Sequence, residues 1–166
     1  MLSTRKQRPF LHACGKEFGF SMTSFRVANL IDVHRLKEFL KEQELTVEGV
    51  DDWFRNFVIM EDQSGSWIAV AGYELYGESC LLRSVGVRRE FRRKGFGKLI
   101  VNQVLGNARA EGAVKSYLLT PNAAGFFSKM GFKSIKRDEV EASVSSSTQF
   151  KMKECAGVTV MQKMMS

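Results

Sequence analysis

The sequence predicts a single α+β domain, on three observations. Its 166 residues suit one domain with one core. Between Phe57 and Val87, apolar runs alternate with short polar, glycine-bearing turns, which is the pattern of an antiparallel meander. Two stretches with apolar residues at three- and four-residue steps stand on either side of that meander, with no internal repeat and no linker.

The elements follow in order. Phe25 and Val27 alternate in a short opening strand at Ser24 to Val27. From Asn29 the period lengthens, and Leu30, Val33, Leu36, Phe39 and Leu40 predict an amphipathic helix. Asp51 and Asp52 ahead of Trp53, Phe54 and Phe57 predict a short second helix with acids at its positive end. Phe57 to Met60 and Trp67 to Tyr76 flank the turn at Glu61 to Gly65, and Cys80 to Val87 continues the meander after Gly77-Glu78. A basic loop leads into a long helix with Leu99, Ile100, Val104, Leu105 and Ala108 on its apolar face. Lys115 to Leu119 is a strand, and Asn122 to Met130 a helix stopped by Gly131, since glycine accepts the left-handed conformation that ends helices. Phe132 to Ile135 is a strand, serine-rich Glu139 to Met152 reads equally as helix or loop, and Val158 to Met161 is the last strand.

Cys14, Cys80 and Cys155 are odd in number and far apart, with only His12 and His34 to join them at a metal. They read as free thiols of a reducing compartment, the cytoplasm, with no disulfide or metal framework. No apolar run is long enough to span a bilayer, so no membrane association is expected. Residues 1–21 are basic and lack an apolar core, which excludes a secretory signal. They read as a poorly ordered extension or the product of an upstream start codon, with a targeting arm as the alternative, and the folded domain is expected from Met22 to Ser166.

The net charge of +7 calls for an anionic partner. The basic residues concentrate between positions 88 and 98, and no helix-turn-helix, zinc or RNA-binding pattern is present. A phosphorylated small molecule explains that distribution better than nucleic acid, which remains the third reading. The segment Arg92-Arg93-Lys94-Gly95-Phe96-Gly97-Lys98 follows a strand and opens a helix. Backbone N–H groups at a helix start are unpaired and the helix dipole favours anions there, while glycines let the backbone approach a ligand closely. The spacing fits neither a phosphate loop ending in Gly-Lys-Ser/Thr nor a Gly-x-Gly-x-x-Gly fingerprint, because position 100 is Ile.

Arg92, Gly95 and Gly97, with the later block Ala123-Ala124-Gly125-Phe126-Phe127-Ser128-Lys129-Met130-Gly131-Phe132, resemble the GCN5-related N-acetyltransferase (GNAT) superfamily. The resemblance runs from Phe25 to the C-terminus in element order. It implies the acyl-CoA N-acyltransferase fold, a mixed, mostly antiparallel sheet flanked by helices. It also implies acetyl-CoA as acyl donor with no metal and a small-molecule amine as acceptor; a homodimer is a possible assembly. Leu81 to Val85, Leu118-Leu119-Thr120 and Ser147 to Phe150 with Cys155 resemble more narrowly the subgroup associated with arsenic-resistance operons, and the expected acceptor is amino-acid-like.

By this resemblance the cofactor is held by Val85, Gly86 and Val87 on the strand, Arg92 to Lys98 in the loop, and Thr120 and Phe127 beyond. Two family positions are changed. Leu81 stands where many members carry a glutamate base, and Phe127 where many carry a tyrosine acid. Catalytic roles therefore fall to Glu74, or Glu78, through water, and to Arg83. Arg83 either clamps a substrate carboxylate or pairs internally with an acid such as Glu74. A GNAT-fold module that binds acyl-CoA without turning it over is the alternative to the enzyme.

Overall fold

The computed structural model describes residues 22–166; the reading of residues 1–21, with His12 and Cys14, lies outside them. Seven strands form one sheet in the order β1-β2-β3-β4-β5-β7-β6. They are β1 Ser24–Val27, β2 Val58–Glu61, β3 Trp67–Tyr76, β4 Ser79–Val87, β5 Lys115–Thr120, β6 Lys133–Ile135 and β7 Thr159–Met164. All neighbours are antiparallel except β4 and β5, which run parallel because a helical crossover joins them. The helices are α1 Val33–Glu42, α2 Val50–Trp53, α3 Phe96–Ala110, α4 Ala124–Lys129, α5 Ala142–Ser145 and α6 Thr148–Lys151.

Both faces of the sheet are covered. On one face α3 lays Phe96, Ile100, Val101, Val104, Leu105 and Ala108 against Ala69, Ala71, Tyr73, Cys80 and Leu82. On the other face there are two separate apolar clusters. Leu36, Phe39, Leu40, Phe54 and Phe57 pack on Ile59, Trp67 and Val70, while Val140, Val144 and Phe150 pack on Leu81, Tyr117 and Val160. The first comes from α1 and the 3-10 turn after α2, the second from the segment carrying α5 and α6.

Two apolar faces differ from the periodicity. Leu30 is 70% exposed, because residues 30–32 form a 3-10 turn out of phase with the α-helix that starts at Val33. The Asn29 side chain accepts from Ile31 N at 3.0 Å and the Asp32 carboxylate from Asn29 N at 2.8 Å, a reciprocal cap that fixes this turn. Leu99 is 49% exposed, and Phe96 and Val101 take the buried positions on α3 in its place. The serine-rich stretch resolves into the two short helices α5 and α6. Glu141 anchors it to the sheet, accepting from Lys115 at 2.6 Å, Ser79 at 2.7 Å and Tyr117 at 3.3 Å.

The pairing of β4 determines where a ligand can reach the sheet. β4 and β5 are in register only at Ser79–Lys115, Cys80–Ser116 and Leu81–Tyr117. Beyond these rungs β4 continues to Val87 and β5 to Thr120 without pairing to each other. On its other side β4 stays paired with β3, but Gly72 opposes Arg83 and Val70 opposes Gly86. Ser84 and Val85 therefore face the single residue Ala71, a β-bulge, and Ser84 takes the left-handed φ of 56°.

Gly72 leaves room beside this bulge. A Cβ there would lie 2.7 Å from the Phe57 ring. Gly72→Ala is therefore expected to displace that ring and to lower stability by about 1–3 kcal/mol, the cost of overpacking. Chemical denaturation checks this; a variant as stable as the parent contradicts the packing described.

Candidate functional site

The basic loop is built by backbone geometry. Arg88 N donates to Ile68 O at 2.9 Å and ends the strand, and Arg89 to Phe91 make one 3-10 turn. Arg93 and Gly95 both take left-handed φ, 62° and 85°, which reverses the chain onto the axis of α3. No side chain caps α3 and its first turn carries no acid. Its leading N–H groups thus face the loop as an anion-binding end. Arg92, Arg93, Lys94 and Lys98, on the loop and the first turn, are exposed, while Phe96 turns inward, edge-on to Phe91 at 6.1 Å. Arg92 is already directed: its Nε donates to Val87 O at 2.9 Å and a terminal nitrogen to Gln43 Oε1 at 2.7 Å.

Val85, Gly86 and Val87 lie on the part of β4 that has left β5, and Val87 ends where the basic loop begins. The Phe126 ring covers Gly97: a Cβ there would sit 3.3 Å from the ring and 3.8 Å from the Val87 side chain. Phe127 is buried, edge-on to Phe126 at 5.0 Å and to Phe132 at 5.7 Å, and packs the base of α4. Buried Thr120 spends its hydroxyl oxygen on Ala123 N at 2.9 Å, holding the turn into α4. The structure thus brings Val85 to Val87, the loop Arg92 to Lys98, and the aromatic pair of α4 to one end of the parted strands.

Glu74 and Arg83 lie elsewhere, on the face of the sheet opposite α3. They are diagonal neighbours on β3 and β4, 2% and 3% exposed, at the seam between the two apolar clusters of that face. The Arg83 terminal nitrogen NH1 stands 3.6 Å from Glu74 Oε2, close enough for attraction but without a hydrogen bond, so both atoms are left unsatisfied. Glu74 Oε1 accepts from the Tyr76 hydroxyl at 3.2 Å. Burial pushes the Glu74 carboxyl up, opposed by Arg83, and pushes the Tyr76 phenol up to about 12. Burial also pulls the Arg83 guanidinium down, opposed by Glu74. Glu74 is not the solvated turn residue that its place near Gly77 suggests; Glu78 is the exposed one.

Three participants escape the sequence. Gln43 and the Glu48 carbonyl, to which Arg83 donates, come from the loop between α1 and α2, far from any motif. Ser84 matters through its backbone conformation, and one serine in a strand gives no sign of that. Phe126 is visible within the second motif, and its exposure beside Gly97 is what marks it out.

Removing Arg83 alone strands a buried carboxylate. Arg83→Met is expected to cost about 3–5 kcal/mol, and Arg83→Met/Glu74→Met to return most of that loss, because neither charge is then left unpaired. Denaturant titration of both variants decides; equal losses in the single and double variants contradict an electrostatic pair.

Among the described residues no group of three or more His, Cys, Asp or Glu side chains could hold a metal, and no helix is long and apolar enough to cross a membrane. Residues 53–134 match the family described as Acetyltransferase (GNAT) domain. An uncharacterized N-acetyltransferase of Chlorobaculum tepidum is 33% identical over 94 residues, which are 56% of this chain and 59% of that protein. N-acetylglutamate synthase of Neisseria gonorrhoeae, solved with coenzyme A and N-acetyl-glutamate, superposes with a TM-score of 0.75 at 16% identity, over 90% of this chain and 36% of that one. Rv2747 of Mycobacterium tuberculosis, solved in complex with CoA, superposes with a TM-score of 0.71 at 20% identity, over 86% of this chain and 99% of that one. This chain accordingly spans little more than half of the Chlorobaculum relative and about a third of the Neisseria synthase. The parted strands β4 and β5, the glycine-opened helix α3 and the structural likenesses converge: the chain has the GNAT fold, and its residues 53–134 are similar in sequence to the GNAT acetyltransferase domain.

Proposed function

We propose that the protein transfers an acetyl group from acetyl-CoA to the amine of a small, amino-acid-like acceptor. The observation that carries this is the uncapped start of α3, with Arg92, Arg93, Lys94 and Lys98 on its loop and first turn, following the end of β4 that β5 no longer pairs. In this reading the α3 N–H groups and the basic side chains take the pyrophosphate. The pantetheine arm runs between β4 and β5. Backbone groups of Val85 to Val87 receive the thioester, polarise its carbonyl and stabilise the oxyanion as the amine attacks. Thr120 and Phe127 shape the far wall of the cleft.

The amine proton passes to water, and the thiolate leaves without a side-chain acid, since Leu81 and Phe127 offer neither base nor acid. Glu74 serves here as counter-charge to Arg83 rather than as the base. The acceptor class is supported by the Neisseria neighbour, solved with N-acetyl-glutamate. A free, buried Cys80 and a free Cys155 agree with a cytoplasmic setting.

A second reading has one observation in its favour. The same two replacements, Leu81 and Phe127, suit a module that holds acyl-CoA without turnover.

Gly97→Val tests the cofactor site. A branched side chain beside Phe126 blocks the approach to the first turn of α3, and coenzyme A affinity is expected to fall by about tenfold or more. Calorimetric titration with coenzyme A, alongside the melting temperature, reads the effect. Unchanged affinity in the folded variant contradicts the site.

A further inference from the structure

Arg83 makes more contacts than an ion pair needs. Its Nε donates to the Ser84 hydroxyl at 3.2 Å, one terminal nitrogen donates to the Glu48 carbonyl, and the other faces Glu74 at 3.6 Å. Gly49, at φ 77°, turns its backbone against the guanidinium so closely that a Cβ would lie 2.8 Å from NH1. One end of the loop between α1 and α2 is thereby tied to the residue next to the β4 bulge.

The other end of the same loop is tied to β4 as well. Arg92 joins the Gln43 side chain to the Val87 carbonyl, at 2.7 and 2.9 Å. A Cβ on Gly86 would lie 3.2 Å from both Gln43 Cγ and Leu45 Cδ1, so the loop rests on the bare backbone of Gly86. Residues 43–49 thus lie along β4 from Arg83 to Val87.

The arrangement is not one that stability alone selects. A buried pair with two unsatisfied atoms gains little over an apolar pair of the same size. What an arginine supplies and an apolar side chain cannot is direction, because its planar fork fixes the angles of the groups it binds. Two of its three nitrogens are already committed to protein acceptors, which leaves no fork for a substrate carboxylate.

We propose that Arg83 is a positioning residue: it locks the bulge at Ser84 to the Glu48–Gly49 end of the α1–α2 loop. The thioester-receiving backbone of Val85 to Val87 and the wall formed by residues 43–49 then keep one relative geometry. The catalytic value of this lock rests on the acyl-transfer reading above, in which small misplacements of the reacting groups are costly.

Hydrogen exchange on the full chain, with and without coenzyme A, tests the lock. In Arg83→Met/Glu74→Met, amides of residues 43–49 and 84–87 are expected to exchange at least about tenfold faster, the effect of losing one charge-assisted hydrogen bond, while those of α3 stay unchanged. Gly49→Ala, which drives a methyl into the guanidinium and keeps both charges, is expected to produce the same local change. It decides the matter if the double variant does not fold. In the parent protein coenzyme A is expected to slow exchange in both segments; in either variant it slows 84–87 alone. A purely structural role would not remove that coupling. Unchanged exchange in the two segments, an equal rise throughout the sheet, or coupling retained in both variants overturns the proposal. Failure of coenzyme A to protect even the parent counts against the cofactor reading, while the unliganded comparison still decides the lock.

Discussion

The rest of the structure depends on the fact that β4 cannot pair to its end on both sides. Three parallel rungs with β5 are followed by a bulge against β3, and from there β4 belongs to β3 alone. A sheet interior that opens in this way exposes backbone polar groups that would be costly to bury unpaired. The same opening leads without interruption into the basic loop, so in the proposed function the strand end freed from β5 and the uncapped helix start serve one extended ligand. In the proposed function the break in the sheet is therefore itself the site.

Holding that break open requires support from the face opposite α3. The left-handed Ser84 carries a strain of about 1–2 kcal/mol, which the surrounding contacts must maintain. Gly72 gives up its side chain so that Phe57 can pack beneath it, and Arg83 reaches from the bulge to the α1–α2 loop. A polar pair at the seam of two apolar clusters is an expensive choice, and it occurs at the place where the strand must be aimed.

Much of this was legible in the sequence, for definite reasons. The meander from Phe57 to Val87 declared itself because its turns carry Gly65 and Gly77, both at positive φ in the structure. The helix stop at Gly131 was legible for the same reason. The loop Arg92 to Lys98 could be read because its glycines and positive charges are contiguous. The parts that stayed hidden depend on tertiary contacts. Leu30 and Leu99 fit the helical period and are exposed, because a 3-10 turn shifts the phase of one and α3 rotates the other outward. The partners of Arg83 divide the same way. Glu74 is legible as an internal acid for Arg83, but the Glu48 carbonyl comes from a loop that no local pattern links to β4.

Acetyl transfer is what separates the enzyme from a non-catalytic module, because binding of acyl-CoA alone would be shared by both. The most direct measurement is thiol release from acetyl-CoA by the full chain across a panel of free amino acids and their decarboxylated amines, with the acetylated product identified by mass spectrometry. The account predicts enzyme-dependent release with at least one amino acid, stoichiometric with its N-acetyl product. Tight coenzyme A binding with no acetylated product from any member of the panel would contradict it.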